Sequence, residues 1–140
     1  MPKTTDDVEA RATQREKSKR ATFDLLKNKK RAERTVEVTL VEGEDPVSMD
    51  FRAIGAQEYD RLIAKNPPNT EQKAEGSAYN IHTFGPSLLS VVCIDPDMTR
   101  QEWTEIWNSP DWNRGEIMQM FLIAVELCNK GLDLPFSAND

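Results

Sequence analysis

The sequence predicts a mainly α fold: a small helical domain with an N-terminal β-hairpin, preceded by a basic arm that is partly disordered. Three observations carry this expectation. Four helix-period segments lie between Gly55 and Gly131, each closed by a proline or a glycine. Residues 35–52 instead alternate apolar and polar with period two, around a turn. Charge is also split along the chain. Residues 1–34 carry 11 Lys or Arg against 6 Asp or Glu, a net +5, while the rest carries 7 against 18, a net −11. The expected domains are therefore a basic arm over 1–34, a hairpin and helical core over 35–131, and a flexible tail over 132–140.

With 140 residues, one modest core is the natural expectation. Hydrophobic residues make up 38% and charged residues 30%, which is polar enough to imply that part of the chain is not packed. Residues 1–20 contain Val8 as almost their only apolar anchor and read as disordered or ordered by a partner. Residues 21–33 form at most a short basic helix with a weak stripe of Phe23, Leu25 and Leu26.

From Thr35 to Val41 the chain alternates, with Val36, Val38 and Leu40 on one face. Residues 42–46 (EGEDP) are turn chemistry, and Val47, Met49 and Phe51 resume the alternation. A two-stranded hairpin is marginal in water, so it must pack on helices or pair with another chain. The first core helix runs over Ala56–Lys65, with Tyr59, Leu62 and Ile63 inward and Pro67-Pro68 as the stop. Residues 69–78 are polar, with at most a helical turn around Glu71–Glu75. The second helix is expected from Phe84 to about Ile94, capped by Thr83, apolar nearly all round and closed by Asp95-Pro96. Thr99 with Glu102 is a capping box opening a short helix to Asn108. Asn113 with Glu116 repeats that logic for the last helix, which ends near Lys130 with Gly131 as its C′ stop. Its stripe is Ile117, Met120, Phe121, Ala124, Leu127 and Cys128.

Little in the chain points to catalysis. His82 is the only histidine, and neither Cys93 nor Cys128 lies in a nucleophile or zinc motif, so both thiols read as small buried hydrophobes. Asp95 and Asp97 flank a proline in a turn between helices and lack the converging oxygens of a divalent-metal site. Glu102 and Glu105 read as a solvated helix face among 24 acidic residues. Glycines are scattered rather than gathered in a phosphate loop. The chain is therefore expected to be non-enzymatic, with no cofactor and no metal. The N-terminus shows no apolar stretch of signal length and no run nears a membrane span, which predicts a cytoplasmic protein. KSKR (17–20) and KNKKR (27–31) offer phosphate-neutralising charge, but without interleaved aromatics or a nucleic-acid motif. Trp103, Trp107 and Trp112 fall within ten positions. Such a cluster is either core or interface; with Phe51 on the hairpin they are the candidate partner-binding residues.

The order of landmarks resembles a known family. EYDRLIAKNPP (58–68), YN-x-x-TF-x-P-x-L (79–88), DP-x-M-T (95–99), WNRGE (112–116) and a final Leu-Pro-x-Ser (134–137) are similar to the pattern of tail assembly chaperones of long-tailed phages, especially those infecting actinobacteria. The resemblance covers about residues 35–137. It implies a non-enzymatic protein of the host cytoplasm, not expected in the mature virion, that binds the extended tape measure protein and keeps it soluble. It also implies help in recruiting tail tube protein through a longer, frameshifted form, of which this chain would be the short counterpart, and a tendency to form homo-oligomers. The alternatives are a small nucleic-acid-binding accessory protein using the basic arm, and a structural tail or connector protein.

Overall fold

The computed structural model describes residues 19–134, in two units that divide after Lys30. Of the first unit, residues 19–30 are described; they contain helix α1 (Phe23–Lys27), capped by Thr22, whose hydroxyl accepts from the Leu25 N–H at 3.2 Å. Phe23, Leu25 and Leu26 are all exposed.

The second unit opens with β1 (Glu33–Val38) and β2 (Val47–Arg52), antiparallel with Val36 opposite Met49. Strand β1 begins two residues earlier and ends three residues sooner than the alternation over Thr35–Val41 predicts. Leu40 lies beyond the ladder and is exposed. Gly43, at φ 85°, supplies the left-handed residue of the turn. The inward face is Val36, Val38, Met49 and Phe51; the outward face is polar, with Arg52 Nε on Glu33 at 2.8 Å and Thr35 Oγ1 on Asp50 at 2.6 Å. Helix α2 (Ala56–Lys65) then occupies the predicted span. Its end is tied forward through buried Asn66, whose carbonyl accepts from the Asn80 N–H at 2.9 Å while its Nδ2 donates to the Leu62 carbonyl at 2.7 Å. Helix α3 (Thr70–Ala74) is the short turn foreseen there, with an Asn69/Gln72 capping box.

The second core helix departs from its expected bounds at both ends. Helix α4 (Ile81–Val92) is capped by Asn80 and not by Thr83. Gly85 and Pro86 are buried inside it. At the other end Cys93–Asp95 leaves the helix as strand β3, antiparallel to β2 with Cys93 opposite Phe51. The sheet order is β1-β2-β3, so the hairpin is two strands of three. Pairing with β2 makes the difference: an apolar run continues a helix unless a neighbouring strand offers its backbone a ladder. Helices α5 (Arg100–Trp107) and α6 (Arg114–Asn129) follow, with the two predicted capping boxes present. Gly131 is not a left-handed cap; the C-cap of α6 is Lys130 in extended conformation.

Among the described residues there are six helices and one three-stranded antiparallel sheet, with helices taking 48%. The expected mainly α class is therefore met coarsely. The apolar face of a sheet closes one side of the core, against α4 and α6. The proposed boundary at residue 34 moves to Lys30, because the ladder already includes Glu33 and the Ala53 N–H bonds to the Ala32 carbonyl at 2.9 Å. Residues 1–18 and 135–140, on which the disordered arm and part of the flexible tail were placed, lie outside the described residues. Cores of this kind gain most from aromatic area. Here Phe84 is the hub, at 5.8 Å from Tyr59, 4.4 Å from Tyr79 and 5.9 Å from Phe121 between ring centroids.

Candidate interaction surface

The four aromatic residues singled out for partner binding separate sharply. Phe51 is 0% exposed, inside the sheet–helix core, and Trp103 is 2% exposed, on the inward face of α5. Neither reaches the surface of the folded chain, and both are reassigned to the core. Strand alternation places Phe51 on the same face as Met49, and helical spacing places Trp103 with Ile106 and Trp107. Among the described residues, the Trp103 Nε1 is buried without a hydrogen-bond partner.

Trp107 is half-buried, one turn after Trp103. Its ring stands edge-to-face on Phe121, with centroids 6.1 Å apart and planes at 87°. It also covers Gly85 so closely that a Cβ there would overlap the indole. Its Nε1 donates to His82 Nδ1 at 3.3 Å. His82 is thus an exposed residue with a structural hydrogen bond, accepting on Nδ1.

Trp112 is the remaining candidate, half-buried in the connection between α5 and α6. It separates two open grooves. One, of about 450 Å³, is flanked by Ile81, His82, Trp107, Ile117 and Met118. The other, of about 540 Å³, runs between β1 and α6 over Val36, Val38, Met120 and Ile123. The pattern of α6 marked Met120 for the core but missed Ile123 and Met118, which lie at the sides of its stripe. The readable signal for the second groove is that β1 is an edge strand whose outer neighbour is missing.

The residues weighed for chemistry do not converge. Among the described residues, no group of three or more His, Cys, Asp or Glu is placed to hold a metal ion. Asp95 and Asp97 are exposed, with Asp95 paired in β3 to Asp50. Cys93 is buried, donates from Sγ to the Pro96 carbonyl at 3.4 Å, and is pushed up to about 11 by burial, with Asp95, Asp50 and Asp97 adding negative charge. Cys128 is raised by burial too, partly offset by a hydrogen bond to the backbone at Ile54. Such thiols are poor nucleophiles and fit the packing role expected of them. Tyr79 is raised by burial and then by Tyr59. No helix among the described residues is long and apolar enough to cross a membrane. Compared with known proteins, the chain shows no significant match to any protein family, curated protein or solved structure.

Proposed function

We propose that this protein is a phage tail assembly chaperone that binds a long helical partner, the tape measure protein, through apolar surface and without a catalytic step. The motif order given above is the first support. The observation that carries the reading further is the pair of grooves meeting at Trp112. An amphipathic helix presents apolar side chains every three or four residues and is held by apolar grooves flanked by aromatic side chains. Trp112, Trp107, Ile81 and Met118 are partly buried apolar side chains lining one such groove. Methionine adapts to irregular partners, which suits a surface that must cover many different turns of an extended helix. Recruitment of the tail tube protein would fall to the longer, frameshifted form.

The test is co-expression with the cognate tape measure protein. The chaperone should raise the soluble fraction of that partner, and Trp112→Glu should lower the effect, because a charge opposite an apolar stripe is costly to bury. Trp112→Phe should retain most of it, since the ring area remains. Unchanged partner solubility with the parent chain would overturn the reading. DNA retention that falls steeply with salt would favour the nucleic-acid alternative instead.

A further inference from the structure

Among the described residues two polar side chains are buried, Asn66 at 7% and Ser87 at 6% exposed, and both line one pocket. It holds about 470 Å³ and forms where the end of α2, the first turns of α4 and the start of α5 meet. That volume falls within the ordinary range of ligand sites. Its charged residues are Lys65 and Arg100, and no Asp or Glu lines it. In a chain with 24 acidic residues against 18 basic ones, the pocket inverts the overall charge. Both cations are exposed, and among the described residues neither is in an ion pair. The walls are tied to each other and to their own helices. The Asn80 N–H donates to the Asn66 carbonyl at 2.9 Å, and Asn66 Nδ2 donates to the Leu62 carbonyl at 2.7 Å. Ser87 Oγ donates to the Thr83 carbonyl at 2.8 Å, and Thr83 Oγ1 to the Asn80 carbonyl at 3.2 Å. Those two hydroxyls have their hydrogens committed to the backbone, so towards a ligand they act as acceptors.

We propose that this pocket binds an acidic peptide segment, with an Asp or Glu carboxylate on Lys65 and Arg100 and a neighbouring backbone N–H on the acceptors of α4. A guanidinium holds a carboxylate through paired N–H bonds, and the ammonium of Lys65 adds a second charge from another element. The acceptors decide between a peptide and a bare oxyanion. A sulfate or phosphate dianion brings only oxygens and meets the Ser87 and Thr83 hydroxyls acceptor to acceptor, whereas a peptide brings N–H donors beside its carboxylate. The ties of Asn66, Thr83 and Ser87 fix the floor before anything binds, so the main ordering cost is that of the two long cationic side chains. The pocket shares no lining residue with the two grooves at Trp112. The inference therefore does not rest on the chaperone reading, and failure of either leaves the other standing.

The experiment is an NMR titration of the full 15N-labelled chain with the capped tripeptide acetyl-Ala-Asp-Ala-amide. The peptide is raised to about 20 mM, which reaches the millimolar affinity expected of one charge-assisted contact. The Asn66 side-chain amide and the backbone N–H groups of Thr83 and Ser87 should shift in a saturable way. Acetyl-Ala-Asn-Ala-amide, which keeps the backbone donors and lacks the charge, should bind at least about tenfold more weakly, and so should sulfate, which keeps the charge and lacks the donors. A chain carrying Lys65→Gln with Arg100→Gln should lose at least about tenfold in affinity; both positions are exposed, so the fold is retained. Lys73→Gln with Lys130→Gln makes the same change of net charge at exposed positions outside the pocket and should bind as the parent does. No saturable shift with the Asp peptide, equal binding of the Asn peptide or of sulfate, or equal losses in the two double variants would each overturn the proposal.

Discussion

Of the described glycines, Gly85 is the one with no room for a side chain, because Trp107 packs directly on it. The indole lies where a Cβ on Gly85 would stand, and Phe121 blocks its retreat on another side. Gly85→Ala should therefore cost about 1–3 kcal/mol by overpacking, despite the better helix propensity of alanine. The indole should also be displaced, breaking its bond to His82 and shifting the tryptophan emission. Gly115→Ala is the control: its Cβ would meet only Asn113 Oδ1 at 3.5 Å, an ordinary contact, in the exposed first turn of α6. That change should stabilise by up to about 1 kcal/mol in chemical denaturation. Cys93 gives a pH prediction. Its thiol is raised from 9.0 to about 11 in the folded chain. Between those values the unfolded chain has lost a proton that the folded chain keeps, so stability falls as pH rises through the window and is unaffected below it. The loss attributable to Cys93 should be on the order of 2 kcal/mol and should vanish from the difference curve in Cys93→Ala. A Cys93→Ala chain that loses as much stability from pH 9 to 11 as its parent would show that the thiol is not held neutral.

At the scale of elements, the helices that could be read from sequence are those with local punctuation. α2, α5 and α6 begin at a glycine or a capping box and stop at proline or a polar cap, and their apolar spacing is 3.6. The cap of α6 is a measurable part of this: Asn113→Ala removes the acceptor of the Glu116 N–H at 2.8 Å and should cost about 0.5–2 kcal/mol by thermal melting. β3 had no such signal. Val91, Val92, Cys93 and Ile94 form one apolar run, and helix and strand differ there only through pairing with β2. The start of α4 was hidden for a different reason. Gly85-Pro86 looks like a boundary, yet Pro86 sits deep in the helix and forfeits only the bond to the His82 carbonyl. The candidate surface was legible in kind but not in detail. Trp103 and Trp107 share a helical face, so spacing cannot say that Trp103 is enclosed while Trp107 reaches a groove. Phe51 looked available because a hairpin was expected to be half-open, and the packing of β2 between β1 and β3 against α6 closes it. The same packing makes α6 the central support. Phe121→Ala should cost about 3–5 kcal/mol, since it removes ring contacts to Tyr79, Phe84 and Trp107 together.

For the molecule as a whole, the division after Lys30 sets the packed core apart from the basic residues before it. Every described residue of the core cluster lies at or after Ala32, whereas the exposed apolar residues of α1 and the densest positive charge precede it. The remainder, with its net −11 beyond residue 34, keeps both grooves and all three strands. A chain starting at residue 31 should therefore retain its circular dichroism per folded residue and unfold within about 0.5 kcal/mol of the parent, the scatter typical of changes away from a core. If the shortened chain unfolds without cooperativity, the arm belongs to the core and the boundary is wrong.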